Sequence, residues 1–109
     1  MTKNIRLFKP HFGQEELDAV AGCFERSWVG LGSKVSEFEE AWESRLGCVE
    51  AIALNSATAA LHLALAIFRF APRSKVLVPS LTFSATASAV LYNNLEPVFV
   101  DSNPITLGM

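Results

Sequence analysis

The chain has 109 residues, of which half are hydrophobic and 18% are charged, and its formal net charge is −2. This apolar content excludes a disordered chain, and the slightly acidic balance leaves no basic footprint for nucleic acid. The most apolar segment, residues 49–68, contains polar side chains and changes from a strand-like to a helix-like pattern. A membrane span is therefore not expected.

The N-terminal stretch and the two cysteines indicate the compartment. "MTKNIRLFKPHFGQEEL" has no long apolar core and no small-residue cleavage site, so we expect no signal peptide. Cys23 and Cys48 lack metal-ligand spacing, and we expect buried thiols rather than a disulfide. A cytoplasmic protein is predicted.

Two helices and a loop are predicted in the first half of the chain. "GQEELDAVAGCFERSW" places apolar residues at helical spacing behind acidic ones. The loop "VGLGSKV" follows, and Ser33 is a candidate cap for a second helix that Gly47 ends.

Three apolar strands and two helices alternate in the second half. In chain order they are the strand "VEAIALN" (49–55), the helix 57–70, the strand "KVLVP" (75–79), the helix within "SLTFSATASAVLYNN" (80–94), with Thr82 or Ser80 as a possible cap, and the strand "EPVFVD" (96–101). The whole order is α-α-β-α-β-α-β. It predicts an α/β fold with right-handed crossovers and a mostly parallel sheet.

Ligands of such sheets gather beyond the carboxyl ends of the strands, which here are residues 55–58, 79–83 and 101–103. The last strand has no helix after it, and three parallel strands have two open edges and a small core. We therefore expect residues 1–109 to be the front part of a larger domain.

The stretch "NSATAALH" (55–62) admits two interpretations. A helix start that follows a strand offers free backbone N–H groups to a phosphate, and Ser56 and Thr58 add hydroxyl groups. Alternatively, one of these residues simply caps the helix, which is the commoner case. The glycines of a P-loop or of a dinucleotide fingerprint are missing.

Other polar and aromatic residues also leave alternatives open. Phe83 could stack on a flat aromatic ligand or belong to the core. Asp101 could be a cap, a turn residue or a ligand partner, and His62 is expected to be structural rather than a catalytic base. No lysine stands at the carboxyl end of a strand, where a Schiff-base lysine would be needed; the four are Lys3, Lys9, Lys34 and Lys75.

As an ordered set, these segments resemble the front of the DegT/DnrJ/StrS-type sugar aminotransferases, pyridoxal-phosphate (PLP) enzymes of fold type I. "SWVGLGSKVSEFEEAWESRLG" resembles the family's glycine-containing loop and its helix with a Phe-Glu pair. "NSATAALHLAL" resembles its Ser-Gly-Thr-Ala-Ala-Leu segment, and "KVLVPSLTFSATASAVLYNNLEPVFVD" its Val-Pro-Ser-x-Thr-Phe run and following strand. The resemblance covers nearly the whole chain from about Pro10.

The resemblance implies a role for each matching segment. At the helix start formed by Ser56, Ala57 and Thr58, the backbone N–H groups of Ala57 and Thr58 and the Thr58 hydroxyl would hold the cofactor phosphate. Phe83 would stack on the pyridine ring. The substrate loop, Trp28, Val29, Gly30, Leu31 and Gly32, would line the substrate mouth near the partner subunit of a homodimer. Family members transfer an amino group, usually from glutamate, to a nucleotide-linked keto-sugar.

The chain also departs from the family pattern. Ala57 replaces a glycine, which is tolerable only if the local φ is negative. "IFRFAPRSKV" (67–76) replaces the usual Gly-rich, acidic turn, Gly-x-Gly-Asp-Glu-Val, with a basic one. The Schiff-base lysine, the carboxylate that pairs with the pyridine nitrogen and the small domain lie downstream in the family, so we expect the 109-residue chain alone to be inactive.

The leading hypothesis is thus the N-terminal portion of a sugar aminotransferase that serves polysaccharide or sugar-antibiotic biosynthesis. One alternative is a PLP-dependent sugar dehydratase of the same fold, which has histidine in place of the lysine. Another is a non-catalytic phosphate-binding or interaction module that uses the helix start at residues 56–58. A dinucleotide-binding half-domain ranks low, because no Gly-x-Gly-x-x-Gly follows the first strand.

Overall fold

A computed structural model of the chain describes residues 8–109. The described residues form α1 (Gln14–Glu25), α2 (Ser33–Leu46), α3 (Ala57–Ile67), β1 (Lys75–Pro79), α4 (Ser84–Tyr92) and β2 (Glu96–Val100). They belong to two compact units, Met1–Ala53 and Leu54–Met109. Lys3, and the first residues of the stretch in which no signal peptide is expected, lie outside the described range.

The two helices of the first unit begin and end for local reasons. In α1 the Glu16 carboxylate accepts the N–H of Gly13 at 2.6 Å, which satisfies a donor at the helix start. Gly32, rather than the predicted Ser33, is the N-cap of α2, and Ser33 is its first helical residue. Gly47 ends α2 as predicted, with the left-handed φ of 66° that glycine adopts without strain.

Residues 49–55 do not form the predicted strand. The N–H groups of Ala51 and Ala53 donate instead to the carboxylates of Glu43 and Glu39, at 3.0 and 2.7 Å. An apolar run predicts burial but not the partner of its backbone, and here two side chains of α2 take the place of a neighbouring strand. The observed order is therefore α-α-α-β-α-β.

The sheet of the second unit is parallel, as predicted. β1 pairs with β2 from Lys75 opposite Glu96 to Pro79 opposite Val100. The bounds of β1 match the prediction, and β2 ends one residue before the predicted end at Asp101. Since α4 connects the two strands, this part of the chain is a βαβ unit.

The core of the second unit lies between this sheet and its helices. Val78 of β1, Val90 of α4 and Leu95 are buried together. The small residues Ala85 and Ala89 are also buried, which explains the small-residue face of α4. Short side chains on that face let the helix approach its neighbours closely.

The two helices of the second unit differ at their caps. Ser56 is the N-cap of α3, and its hydroxyl accepts the N–H of Ala59 at 3.2 Å. Neither Thr82 nor Ser80 caps α4: the N-cap position is Phe83, without a side-chain hydrogen bond. The Thr82 hydroxyl pairs with the Thr86 hydroxyl at 2.9 Å, so it is engaged one turn further along.

The cysteines are free thiols, and no disulfide joins Cys23 to Cys48. Cys23 is half-buried, but Cys48 is exposed, so the expectation of two buried thiols is wrong for Cys48. It follows Gly47, where α2 has already ended and nothing packs over it. Over the described range 8–109, every helix is too short or too polar to cross a membrane.

Candidate functional site

Of the helices of the second unit, α4 follows the carboxyl end of β1 directly, and α3 packs against α4. The chain segments that follow α3 and α4 meet at the opposite edge, where the Arg73 N–H donates to the Asn94 carbonyl and the Glu96 N–H to the Ser74 carbonyl, at 2.8 and 3.0 Å. Both helices therefore lead toward the amino edge. This places Phe83, which directly precedes α4, at the carboxyl edge, where parallel sheets bind ligands, and it places residues 56–58 at the end of α3 that is farther along the chain from the amino edge.

The start of α3 combines both interpretations of its sequence. The Ser56 hydroxyl caps the helix through Ala59 and also lies 3.3 Å from the Asn55 side-chain oxygen. Among the described residues, the N–H groups of Ala57 and Thr58 have no hydrogen-bond partner. The cap thus leaves two donors free at the positive end of the helix dipole, where an anion is stabilised.

Ala57 is compatible with this helix start. It is the first residue of α3 and is not among the residues with positive φ. The glycine that the family usually has here is therefore not required by the backbone.

Phe83 is not a core residue. It lies between β1 and α4, and 78% of its surface is exposed. An exposed aromatic ring whose backbone is fixed at the N-cap of α4 is suited to stack on a flat ligand.

These residues fit PLP on the two features that the structure tests. Its phosphate is an anion, which the free N–H groups of Ala57 and Thr58 and the Thr58 hydroxyl suit. Its pyridine ring is flat and aromatic, which the exposed face of Phe83 suits.

Asp101 and His62 have structural partners. The Asp101 carboxylate accepts the N–H of Ser102 at 2.8 Å, which favours the turn interpretation. The ring of His62 meets Tyr92 edge to face, with 5.8 Å between centroids, and its carbonyl accepts the Asn93 amide. These contacts agree with a structural histidine.

One buried polar atom near the end of β2 could not be predicted from the sequence. The Ser102 hydroxyl, just after β2, is buried and has no hydrogen-bond partner among the described residues. A serine after a strand is too common to be singled out.

The substrate loop, residues 28–32, belongs to the first unit. The Trp28 indole N–H donates to the Leu31 carbonyl at 2.6 Å and holds the loop closed. A Cβ on Gly32 would lie 2.5 Å from the Trp28 ring, so any larger residue there would force the ring to move. Val29 and Leu31 project into solvent, with 76% and 82% of their surfaces exposed.

The cavity beside this loop involves residues that the sequence did not single out. It has a volume of about 180 Å³, and Arg26 and Lys34 are in its wall. Arg26 follows α1 and Lys34 lies in the first turn of α2, so only the fold brings them together. The described part of the chain contains no group of three or more His, Cys, Asp or Glu side chains that could hold a metal ion.

The fold has clear structural relatives. A Streptococcus pneumoniae structure described as a sugar aminotransferase in its PLP form, Spr1654, matches 93% of this chain with a TM-score of 0.82 and 31% identity, over 26% of its own length. An Escherichia coli GDP-4-keto-6-deoxy-D-mannose-3-dehydratase matches 95% of the chain with a TM-score of 0.85, over 28% of its length. At 22% identity the second likeness shows the fold alone. The fold is thus that of the N-terminal part of the large domain of PLP fold-type-I proteins.

The family follows from the sequence comparisons. The model of the DegT/DnrJ/EryC1/StrS aminotransferase family matches residues 10–109, and the chain belongs to this family. It is 40% identical over 106 residues to dTDP-4-dehydro-2,3,6-trideoxy-D-glucose 4-aminotransferase from Saccharopolyspora spinosa. That match covers 95% of this chain and 28% of the relative. The chain therefore spans less than a third of the proteins that it resembles.

Proposed function

We propose that this chain is the N-terminal portion of a PLP-dependent aminotransferase that acts on a nucleotide-linked keto-sugar, with glutamate as the amino donor. The pathway would be polysaccharide or sugar-antibiotic biosynthesis. The observation that carries the proposal is the start of α3, where a capped helix keeps the N–H groups of Ala57 and Thr58 free. The exposed ring of Phe83, at the start of the neighbouring helix α4, supports it.

Each of these residues has a defined role. Two N–H groups and the Thr58 hydroxyl would bind the cofactor phosphate at the helix start, and the Ser56 cap keeps that turn in place. Phe83 would cover one face of the pyridine ring and exclude water from it. PLP, when bound, supplies the electron sink that carries the amino group.

The substrate loop would lie at the mouth of the site in a cytoplasmic homodimer. The exposure of Val29 and Leu31 supports a partner surface, because large apolar side chains in a closed loop gain from being covered. The Trp28–Leu31 hydrogen bond supports a loop that keeps one shape while a substrate enters.

Borohydride reduction tests the proposal. The protein is purified from its native source, reduced, and its intact mass and peptides are measured. We expect a species well above the 11.9 kDa of this chain, with a phosphopyridoxyl adduct on a lysine beyond Met109. A folded 11.9 kDa protein without adduct would overturn the proposal and favour a phosphate-binding module.

The same measurement distinguishes a PLP-dependent sugar dehydratase from an aminotransferase. The fold likeness to the Escherichia coli dehydratase agrees with both chemistries. A larger species that contains PLP, but whose lysines carry no adduct after reduction, would favour the dehydratase. Amino transfer from glutamate to a nucleotide-linked keto-sugar by the native protein would favour the aminotransferase.

A further inference from the structure

The cavity beside the substrate loop has a cationic wall. Arg26 and Lys34 are among its lining residues, and within residues 8–109 no acidic residue lines it. Trp28 and Gly32 form the apolar side, and Ser33 lies at the start of α2. A concave site with two cations in its wall attracts a ligand that carries more than one negative charge.

Arg26 is available to such a ligand. Its guanidinium contacts the Cys23 sulfur at 3.8 Å, and among the described residues no carboxylate pairs with it. A guanidinium presents several N–H donors in a fixed fork, which matches the oxygens of a phosphate group.

Lys34 provides a second, exchangeable charge. Its ammonium group pairs with Glu37 on the next turn, and both side chains are about half exposed, at 52% and 56%. An exposed pair of this kind contributes little, so the ammonium group can turn to a ligand at small cost.

The apolar part of the wall, formed by Trp28 and Gly32, is held in one shape. The Trp28 ring closes against Gly32, and its N–H is already bonded to the Leu31 carbonyl at 2.6 Å. The indole therefore offers its apolar ring, not its donor, to the cavity. Two backbone N–H groups, those of Ser33 and Lys34, have no hydrogen-bond partner among the described residues and add to the positive field at the start of α2.

We propose that this cavity binds the diphosphate group of the nucleotide-linked substrate, with Arg26 as the principal ligand and Lys34 as the second. The assignment rests on the proposed function, since it names the part of that substrate which the first unit recognises. It also explains the shape of the substrate loop, because Trp28 and Gly32 form the wall against which the diphosphate is held.

Titration of the native holoenzyme with inorganic pyrophosphate and with dTDP tests this assignment. The variants are Arg26→Gln and Lys34→Gln, and the matched control is Arg45→Gln, a cation in the last turn of α2 that is not among the residues lining the cavity. We expect Arg26→Gln to weaken both probes about tenfold and Lys34→Gln about threefold, as for the loss of charge-assisted contacts. Arg45→Gln should bind as the wild type does.

Cofactor content is measured in each preparation by absorbance, so the two proposals fail separately. Absence of PLP from the wild type would overturn the proposed function, whatever pyrophosphate does. Equal binding by wild type and Arg26→Gln would overturn the diphosphate assignment while PLP remains bound. Weaker pyrophosphate but unchanged dTDP in Arg26→Gln would also overturn it, because the cavity would then be a site for free phosphate only.

Discussion

Thr58 is the one side chain at the start of α3 that would add its own hydrogen bond to the cofactor phosphate. Thr58→Val keeps the shape of the side chain and removes the hydroxyl. We expect the Kd for PLP, measured by absorbance titration of the native protein, to rise about tenfold, because a hydrogen bond to a charged group contributes about 1.5–3 kcal/mol. Thr106→Val is the control, since the Thr106 hydroxyl lies in the turn near Gly108. If Thr58→Val binds PLP as tightly as this control does, the Thr58 hydroxyl does not contact the cofactor phosphate.

The basic turn before β1 carries backbone strain. Arg73 is a non-glycine residue with a φ of 64°. A left-handed conformation costs an L-residue with a side chain about 1–2 kcal/mol, so Arg73→Gly should raise the free energy of unfolding by about 1 kcal/mol. Asn94, with φ of 56°, is the control, because asparagine tolerates this region and Asn94→Gly should change little. Chemical denaturation of both variants measures the difference, and a destabilised Arg73→Gly would contradict the strain.

At the scale of elements, α3 depends on its cap. Ser56→Ala removes the hydroxyl that accepts the Ala59 N–H, and the free energy of unfolding should fall by about 1 kcal/mol. Ser84→Ala is the comparison, since Ser84 begins α4 without a cap bond at that helix start and should change stability less. Circular dichroism against denaturant compares the two. Equal losses would mean that the Ser56 hydrogen bond contributes nothing specific.

The elements also show what the sequence can and cannot predict. β1 has its predicted bounds, because β-branched residues between turn residues leave few alternatives. The strand predicted at residues 49–55 is wrong because an apolar run does not reveal that Glu39 and Glu43 will take its N–H groups. The phosphate interpretation and the cap interpretation of residues 55–62 are alternatives in the sequence, whereas the backbone allows both. The sequence contains no pattern that predicts a shared site for Arg26 and Lys34, since only the loop between the two helices brings them to the same cavity.

At the scale of the whole molecule, little of the apolar surface is covered. Within the described range, the buried hydrophobic residues are Val78, Ala85, Ala89, Val90 and Leu95, all in the second unit. β1 and β2 pair only with each other there, so each keeps one open edge.

A polypeptide of these 109 residues, made alone, should therefore self-associate, bind a hydrophobic dye and lack transaminase activity. Size-exclusion chromatography with light scattering and an amino-transfer assay are the measurements. The same measurements on the native protein are the control. A monodisperse, active 109-residue monomer would contradict this expectation. It would also contradict the proposal that these residues are only the N-terminal portion of the enzyme.

The contacts of Glu39 and Glu43 have a consequence for the length of the chain between α2 and residue 53. Four residues of helix advance about 6 Å, and two residues of extended chain advance about 6.6 Å, so acceptors spaced by four can serve donors spaced by two. The four-residue spacing of the two carboxylates on α2 thus matches every second N–H group of the segment that contains Ala51 and Ala53. Deleting one residue between Gly47 and Glu50 would turn the N–H groups that now face Glu39 and Glu43 away from them. Substitutions there would leave these N–H groups facing the two carboxylates. The number of residues between α2 and Ala51 is therefore constrained more strongly than their identity.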